Sequence, residues 1–225
     1  MRDWGIDRPP AWHAAGVTDA DRMQRERDLV AYYDDEVQER AGRELPADRV
    51  ARRGAYIEQL RAEERRSVLE VGTGPGRDGT ALVQAGLDYT GVDLAPASVA
   101  ACRALGLDAR VASVLDLPFA DGTFDAGWTM STLLHVADAE LDAALAEIVR
   151  VLRPAAPLAV GLWGGRDLPE GPHGEPTHGP ARFFSFRSDE KVCAALDRRG
   201  TVECWETWKG SSELHYQFAV LRTPA

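Results

Sequence analysis

The chain has 225 residues, 44% apolar and 28% charged, a balance that describes one globular unit with at most a small attached cap and excludes a disordered or fibrous polymer. Thirty-six acids against 26 lysines and arginines leave a net charge of −10, a field that repels phosphate backbones and anionic bilayers, so no nucleic-acid or membrane partner is expected. No window approaches the roughly 18 consecutive apolar residues of a membrane-crossing helix, and Met1-Arg2-Asp3-Trp4 opens no run of the secretory kind, so a cytoplasmic location is expected.

Residues 1–66 are polar with a helical rhythm. Thr18, followed three residues later by Asp21, opens a helix to about Ala41 that carries Met23, Leu29, Val30, Tyr32, Tyr33 and Val37. After Pro46, the residues Val50, Gly54, Ile57 and Leu60 recur at intervals of three and four along one side of a second helix. From Ser67 short apolar runs at 68–71, 89–92, 109–112, 124–128 and 157–163 alternate with helical stretches near 77–85, 96–105 and 138–151. That alternation predicts an α/β fold with a mostly parallel sheet. Residues 164–182 hold so many glycines and prolines that they read as one long irregular loop, ending in the aromatic run Arg182-Phe183-Phe184-Ser185-Phe186. A helix near 188–199 and strands near 201–208 and 214–222 close the chain. The expected organisation is a helical cap (1–66), a core (67–163), a lid (164–187) and a closing helix and strands (188–225). Cys102, Cys193 and Cys204 are odd in number and lack a Cys-x-x-Cys pair, so they read as buried or half-buried thiols.

The most informative stretch runs from Val68 to Gly79, a strand entering a glycine-rich turn that opens a helix. Glycines let the backbone bend sharply and let a ligand lie against bare main chain near the helix end. Gly74, Gly76 and Gly79 also satisfy the G-x-G-x-x-G of dinucleotide folds, which keeps a nicotinamide or flavin enzyme in view. Asp93, closing the second strand about 20 residues on, can accept both hydroxyls of a ribose in either class of cofactor. Glu70 is awkward beside a pyrophosphate but suits a ligand with ammonium and sulfonium charges.

Val68–Gly79 resembles the first motif of the class I S-adenosylmethionine-dependent methyltransferases of the small-molecule branch. The resemblance spans roughly residues 67–163. It continues through Gly91-Val92-Asp93-Leu94-Ala95-Pro96, Leu117-Pro118-Phe119-Ala120-Asp121-Gly122-Thr123-Phe124-Asp125, Leu133-Leu134-His135-Val136 and Glu147-Ile148-Val149-Arg150-Val151-Leu152-Arg153-Pro154. It implies a Rossmann-like seven-stranded sheet with helices on both faces and a helical cap. It further implies that Glu70 and the loop Gly72, Thr73, Gly74 and Gly76 hold the methionine end of S-adenosylmethionine, with Asp93 on the ribose. Leu94 would pack on the adenine, Ser113 and Val114 would cap its edge, and Met130 and Tyr33 would complete the cofactor site. Ser113 stands where the family often has Asp, so Asp116 is a substitute for the adenine amino contact, and Ala155-Ala156 replace a common Gly-Gly turn. Arg52 or Arg53 would reach the methionine carboxylate, and Trp4 and Trp12 would help Tyr32 and Tyr33 form a second wall.

His135 is the general-base candidate, because its segment faces the transferred methyl in the resembling family and histidine titrates near working pH. A structural histidine bonded to its neighbours is the alternative. His173 and His178 lack a third ligand beyond Glu175, so no metal is expected. The aromatic end of the lid is a candidate cover for an acceptor, or simply an anchor. The implied reaction is methyl transfer to a small molecule, with an aromatic or heterocyclic specialised metabolite as the candidate acceptor, releasing S-adenosylhomocysteine. A nicotinamide-dependent oxidoreductase, and a cofactor-binding protein or cyclase that transfers no methyl, stand as alternatives.

Overall fold

The computed structural model describes residues 18–173, 177–209 and 213–225. Trp4, Trp12 and Glu175 lie outside them. Helix α1 (Asp19–Gly42) starts at a reciprocal cap in which the Thr18 hydroxyl accepts the Asp21 N–H while the Asp21 carboxylate takes the Thr18 N–H. Helix α2 (Ala47–Ala62) follows Pro46. Strand β1 (Ser67–Val71), α3 (Arg77–Gln84), β2 (Asp88–Asp93), α4 (Pro96–Ala104) and β3 (Ala109–Val111) make the first crossovers. Strand β4 (Ala126–Met130), a single 3-10 turn (Leu133–His135), α5 (Asp138–Val151) and β5 (Pro157–Gly164) continue the alternation. A ribbon of β6 (Gly171–His173) and β7 (Arg182–Phe184), then α6 (Asp189–Asp197), β8 (Thr201–Lys209) and β9 (His215–Arg222) complete it.

The seven-stranded sheet has the order β3-β2-β1-β4-β5-β9-β8, in which β9 runs antiparallel to both its neighbours and the other six strands share one direction. Strand order reverses between β1 and β4, and the crevice beyond the carboxyl ends of strands at such a reversal is where open α/β sheets bind ligands. On one face Leu69, Val71 and Leu158 pack with Leu145 and Ile148 of α5 and Leu196 of α6. On the other, Val68 and Trp128 pack with Tyr56 and Leu60 of α2 and Val99 and Cys102 of α4. The sheet is thus a layer between two helical layers.

Two sequence expectations need correction. Strand β4 runs 126–130 rather than 124–128, because Asp125 is occupied in accepting the Arg66 and Ser67 N–H groups while Phe124 makes only a lone bridge to Leu152. The stretch 164–182 does contribute regular structure, since Gly171, Pro172 and His173 pair antiparallel with Phe184, Phe183 and Arg182. Pro172 is compatible because a two-stranded ribbon has outer edges where a missing donor costs nothing. All three cysteines are free, Cys102 buried and the others half-buried, as their spacing predicts.

Candidate functional site

At the carboxyl ends of β1, β2 and β4, under α1, lies a cavity of about 550 Å³, within the range of small-molecule sites. Of the twelve residues singled out in the sequence, ten line it: Tyr33, Gly72, Thr73, Gly74, Asp93, Leu94, Ser113, Val114, Met130 and His135. Glu70 and Gly76 do not.

The glycine loop owes its shape to close packing. Gly72 has φ 83°, and a Cβ there would lie 1.8 Å from Thr132 Oγ1, itself donating to the Val71 carbonyl at 3.1 Å. The Gly72 and Thr73 N–H groups both donate to the Val92 carbonyl, the Gly74 N–H to Asp93 Oδ2 (2.8 Å), and the Gly76 N–H to the Thr73 carbonyl. With Pro75 lacking a donor, the amides of residues 72–76 are all taken up, three by Val92 and Asp93 of β2 and one by Thr73 within the loop. Asp93 Oδ1 accepts the Ala95 N–H at 2.9 Å, so each carboxylate oxygen is pinned by one backbone donor and keeps a further acceptor site. Burial pushes the Asp93 carboxyl up from its ordinary value, and the two backbone donors oppose that rise.

Glu70 faces away from the cavity, beneath the start of α3, where its Oε2 accepts the Tyr89 hydroxyl at 2.7 Å. Burial first, and then the nearby Asp78, hold its carboxyl well above the ordinary range. Its hydrogen-bond partner is thus Tyr89 of β2, and it does not line the cavity. Gly76 is the left-handed residue before α3, with φ 83°, and a Cβ there would come within 2.8 Å of Leu107. Its place is also structural. Ser113 donates to Glu26 Oε1 of α1 at 2.7 Å, whereas Asp116, the suggested substitute, is exposed and outside the lining.

The cavity arginines differ from those expected. Arg52 pairs with Glu206 and Arg53 with Asp78 (2.7 Å), while Arg49, one turn earlier on the face of Arg53, lines the cavity. Arg49 Nε donates to Asp78 Oδ2 at 2.8 Å, and Asp78 also accepts Trp128 Nε1 at 3.1 Å. Arg77, the first residue of α3, lines the cavity too, and its Nη1 donates to the Arg40 carbonyl at 2.8 Å. Arg49, Arg77 and Asp78 were open to discovery in the sequence as the first helical turn after the loop and the i−4 neighbour of Arg53.

His135 sits in the 3-10 turn, which the fully buried Arg187 fixes by donating to the Leu133 carbonyl (3.0 Å), the Val136 carbonyl (2.6 Å) and Asp138 (2.7 Å). Its Nδ1–H donates to the Phe183 carbonyl at 2.7 Å, leaving Nε2 to accept the Tyr33 hydroxyl at 2.6 Å. Burial drives its pKa down to about 3. The expectation of a histidine titrating near working pH is therefore corrected: His135 is neutral, of one tautomer, and covered at both nitrogens. Its low folded value makes the unfolded chain the stronger proton binder between about 6.5 and about 3, so it contributes a loss of stability as pH falls through that window. His135→Gln is expected to unfold with a shallower acid dependence there, read from denaturant midpoints at stepped pH.

Of the adjacent tyrosines only Tyr33 lines the cavity, while Tyr32 is buried with its hydroxyl 3.5 Å from Thr177 Oγ1. The lid phenylalanines act as anchors. Phe184 and Phe186 are buried and stacked 5.1 Å apart, Arg25 lies over Phe183, and none of the three lines the cavity. Among the described residues no group of three or more His, Cys, Asp or Glu is arranged to hold a metal.

Comparison with known proteins agrees with this geometry. Residues 69–160 match the family model described as a methyltransferase domain. The O-methyltransferase resE of Aspergillus sclerotiorum is 30% identical over 141 residues, covering 58% of this chain and 51% of the relative. The norajmaline N-methyltransferase of Rauvolfia serpentina is 32% identical over 129 residues, covering 52% and 43%. The chain thus spans about half the length of these curated relatives. Among solved structures, the Burkholderia thailandensis 1,6-didemethyltoxoflavin-N1-methyltransferase, with its substrate and S-adenosylhomocysteine bound, superposes with a TM-score of 0.68 at 21% identity. That match covers 98% of this chain and 94% of the other, and shows the shared Rossmann-like fold.

Proposed function

We propose that this chain, whose residues 69–160 match the methyltransferase-domain family model, moves a methyl group from S-adenosylmethionine to a small-molecule acceptor and releases S-adenosylhomocysteine. The observation that carries this reading is the glycine loop whose amides are all taken up around a pinned Asp93. A dinucleotide fold needs free N–H groups at this turn for its pyrophosphate. The turn here offers none between residues 72 and 76, which supports a ligand that makes no anion contact with that stretch of main chain.

When bound, the cofactor supplies a methyl group on a positively charged sulfur. Asp93 accepts the two ribose hydroxyls at its spare acceptor sites. Arg49, steered by Asp78, and Arg77 balance the amino-acid carboxylate. Leu94 and Val114 give the adenine an apolar slot, with Ser113 and Glu26 at its edge. Because the Tyr33 O–H is spent on His135, its oxygen presents lone pairs to the cavity and can accept a hydrogen bond from the O–H or N–H of an acceptor. His135 thus acts through Tyr33 as a positioning residue. Alignment for an in-line displacement and exclusion of water are then the protein's main contributions.

Relatives named for O- and N-methylation support a heteroatom acceptor, and the aromatic or heterocyclic class from specialised metabolism is our reading. A cytoplasmic setting is part of this reading, and among the described residues no helix is long and apolar enough to cross a membrane. Calorimetric titration with S-adenosylhomocysteine is expected to give a saturable one-site isotherm, and titration with reduced nicotinamide dinucleotide none. The reverse pattern would replace this reading by an oxidoreductase. Tight binding with no labelled methyl leaving the donor across a panel of phenols and heterocyclic amines would mark a non-methylating protein.

A further inference from the structure

The segment after β5 returns to α1 at one charged point away from the cavity chemistry. His178 Nδ1 lies 2.9 Å from Asp35 Oδ2, and its Nε2 lies 2.9 Å from Glu39 Oε2. Asp35 and Glu39 are four residues apart on α1 and so share one face. A neutral imidazole offers one N–H and one lone pair, and a lone pair opposed to a carboxylate oxygen at that distance is repulsive. Only the imidazolium donates to both acids.

The groups around this ring all bear on its charge. Glu36, buried on the same helix, adds a third negative charge and is itself paired with Arg40 and Arg43. Arg43 also bonds Glu39 and takes up part of that acid's charge. The Tyr32 ring meets His178 edge-on with centroids 5.6 Å apart, and Arg182 of β7 lies 4.4 Å over the same tyrosine. The Asp35 bond is the largest influence and holds His178 above the ordinary histidine value, with burial opposing it. Side-chain exposures of 22% for His178, 66% for Asp35 and 53% for Glu39 leave the cluster open to solvent and salt, so it adds little to global stability.

Both elements it joins reach the cavity. α1 brings Tyr33 and Arg40 to the lining, and the 177–187 segment brings the Phe183 carbonyl that fixes His135. We propose that His178 is a proton-dependent latch that holds residues 177–187 against α1, which walls the cavity, while it is charged and lets that contact loosen when it is not. A group raised in the folded state contributes fully below its unfolded value of 6.5 and loses that contribution as pH rises through the folded one, so the latch is shut on the acid side and released on the alkaline side. The inference stands independently of which reaction the cavity serves.

The test uses the full-length protein without ligand. In an NMR titration of the imidazole signals, with His178 identified by its loss in His178→Gln, the midpoint is expected above 6.5 and lower in the Asp35→Asn/Glu39→Gln double variant. Amide exchange across residues 177–187, corrected for intrinsic rates, is expected to lose several-fold protection between about pH 6 and about pH 8.5 in the parent protein and to stay level in His178→Gln. A midpoint at or below the ordinary histidine value, or an equal loss of protection in His178→Gln, overturns the latch. So does a high midpoint with protection that ignores pH.

Discussion

Replacing Asp78 with alanine is expected to lower the free energy of unfolding by about 3–5 kcal/mol, which for a domain of this size is a fall in Tm of roughly 6–20 °C. The Asp78 side chain has no exposed surface, and it accepts from Arg53 at 2.7 Å, from Arg49 Nε at 2.8 Å and from the indole of the fully buried Trp128 at 3.1 Å. Alanine would leave two mostly buried guanidinium groups without their shared anion and an indole N–H without an acceptor. Each is penalised by desolvation that no new partner offsets. The acid also sits near Glu70, so the same change relieves one like-charge contact and makes the net loss smaller than the sum of the broken bonds. Asp78→Asn keeps an acceptor oxygen for one donor and is expected to fall between the parent and the alanine variant. A denaturant midpoint for Asp78→Ala within error of the parent would show that α2 does not depend on this acid for its attachment to the sheet.

What was legible in the sequence is what local spacing controls. The Thr18–Asp21 cap closes over three residues, and Asp93 ends its strand at a fixed offset from the loop, so both could be placed without knowing any distant partner. The mostly parallel sheet followed from the alternation of strands and helices, since parallel neighbours need a crossover between them. Glu70 lies outside the cavity lining because one strand position decides which face a side chain takes, and on that face its carboxylate meets the Tyr89 hydroxyl. The arginine at the cavity was misplaced by one helical turn for a similar reason: the periodicity of α2 gives its buried side but not how far the helix slides along the sheet. The Tyr33–His135 bond joins positions 102 residues apart, and no pattern within either segment encodes that meeting. Nor does composition reveal β6 and β7, across which the His173 ring meets Phe184 and Phe186.

The second large effect concerns affinity rather than stability. Asp93→Ala is expected to weaken binding of S-adenosylhomocysteine by roughly 1–3 kcal/mol, a loss of about 5- to 150-fold, because charge-assisted hydrogen bonds to two hydroxyls disappear together. The same substitution frees the Gly74 and Ala95 N–H groups that now hold the carboxylate at 2.8 and 2.9 Å, so the loop itself can relax. Asp93→Asn separates these contributions. Its amide oxygen can still accept one backbone N–H, but its NH2 faces the other, so the turn keeps one of its two anchors while the charge is lost, and affinity should fall proportionately more than the unfolding midpoint. A 2′-deoxy or 3′-deoxy analogue of the ligand gives the complementary loss in the parent protein and little further loss in Asp93→Ala, as expected when one residue and two hydroxyls form a single interaction. If Asp93→Ala binds S-adenosylhomocysteine as tightly as the parent, the carboxylate serves only to fold the turn, and the cavity holds its ligand by the arginines and the adenine slot instead.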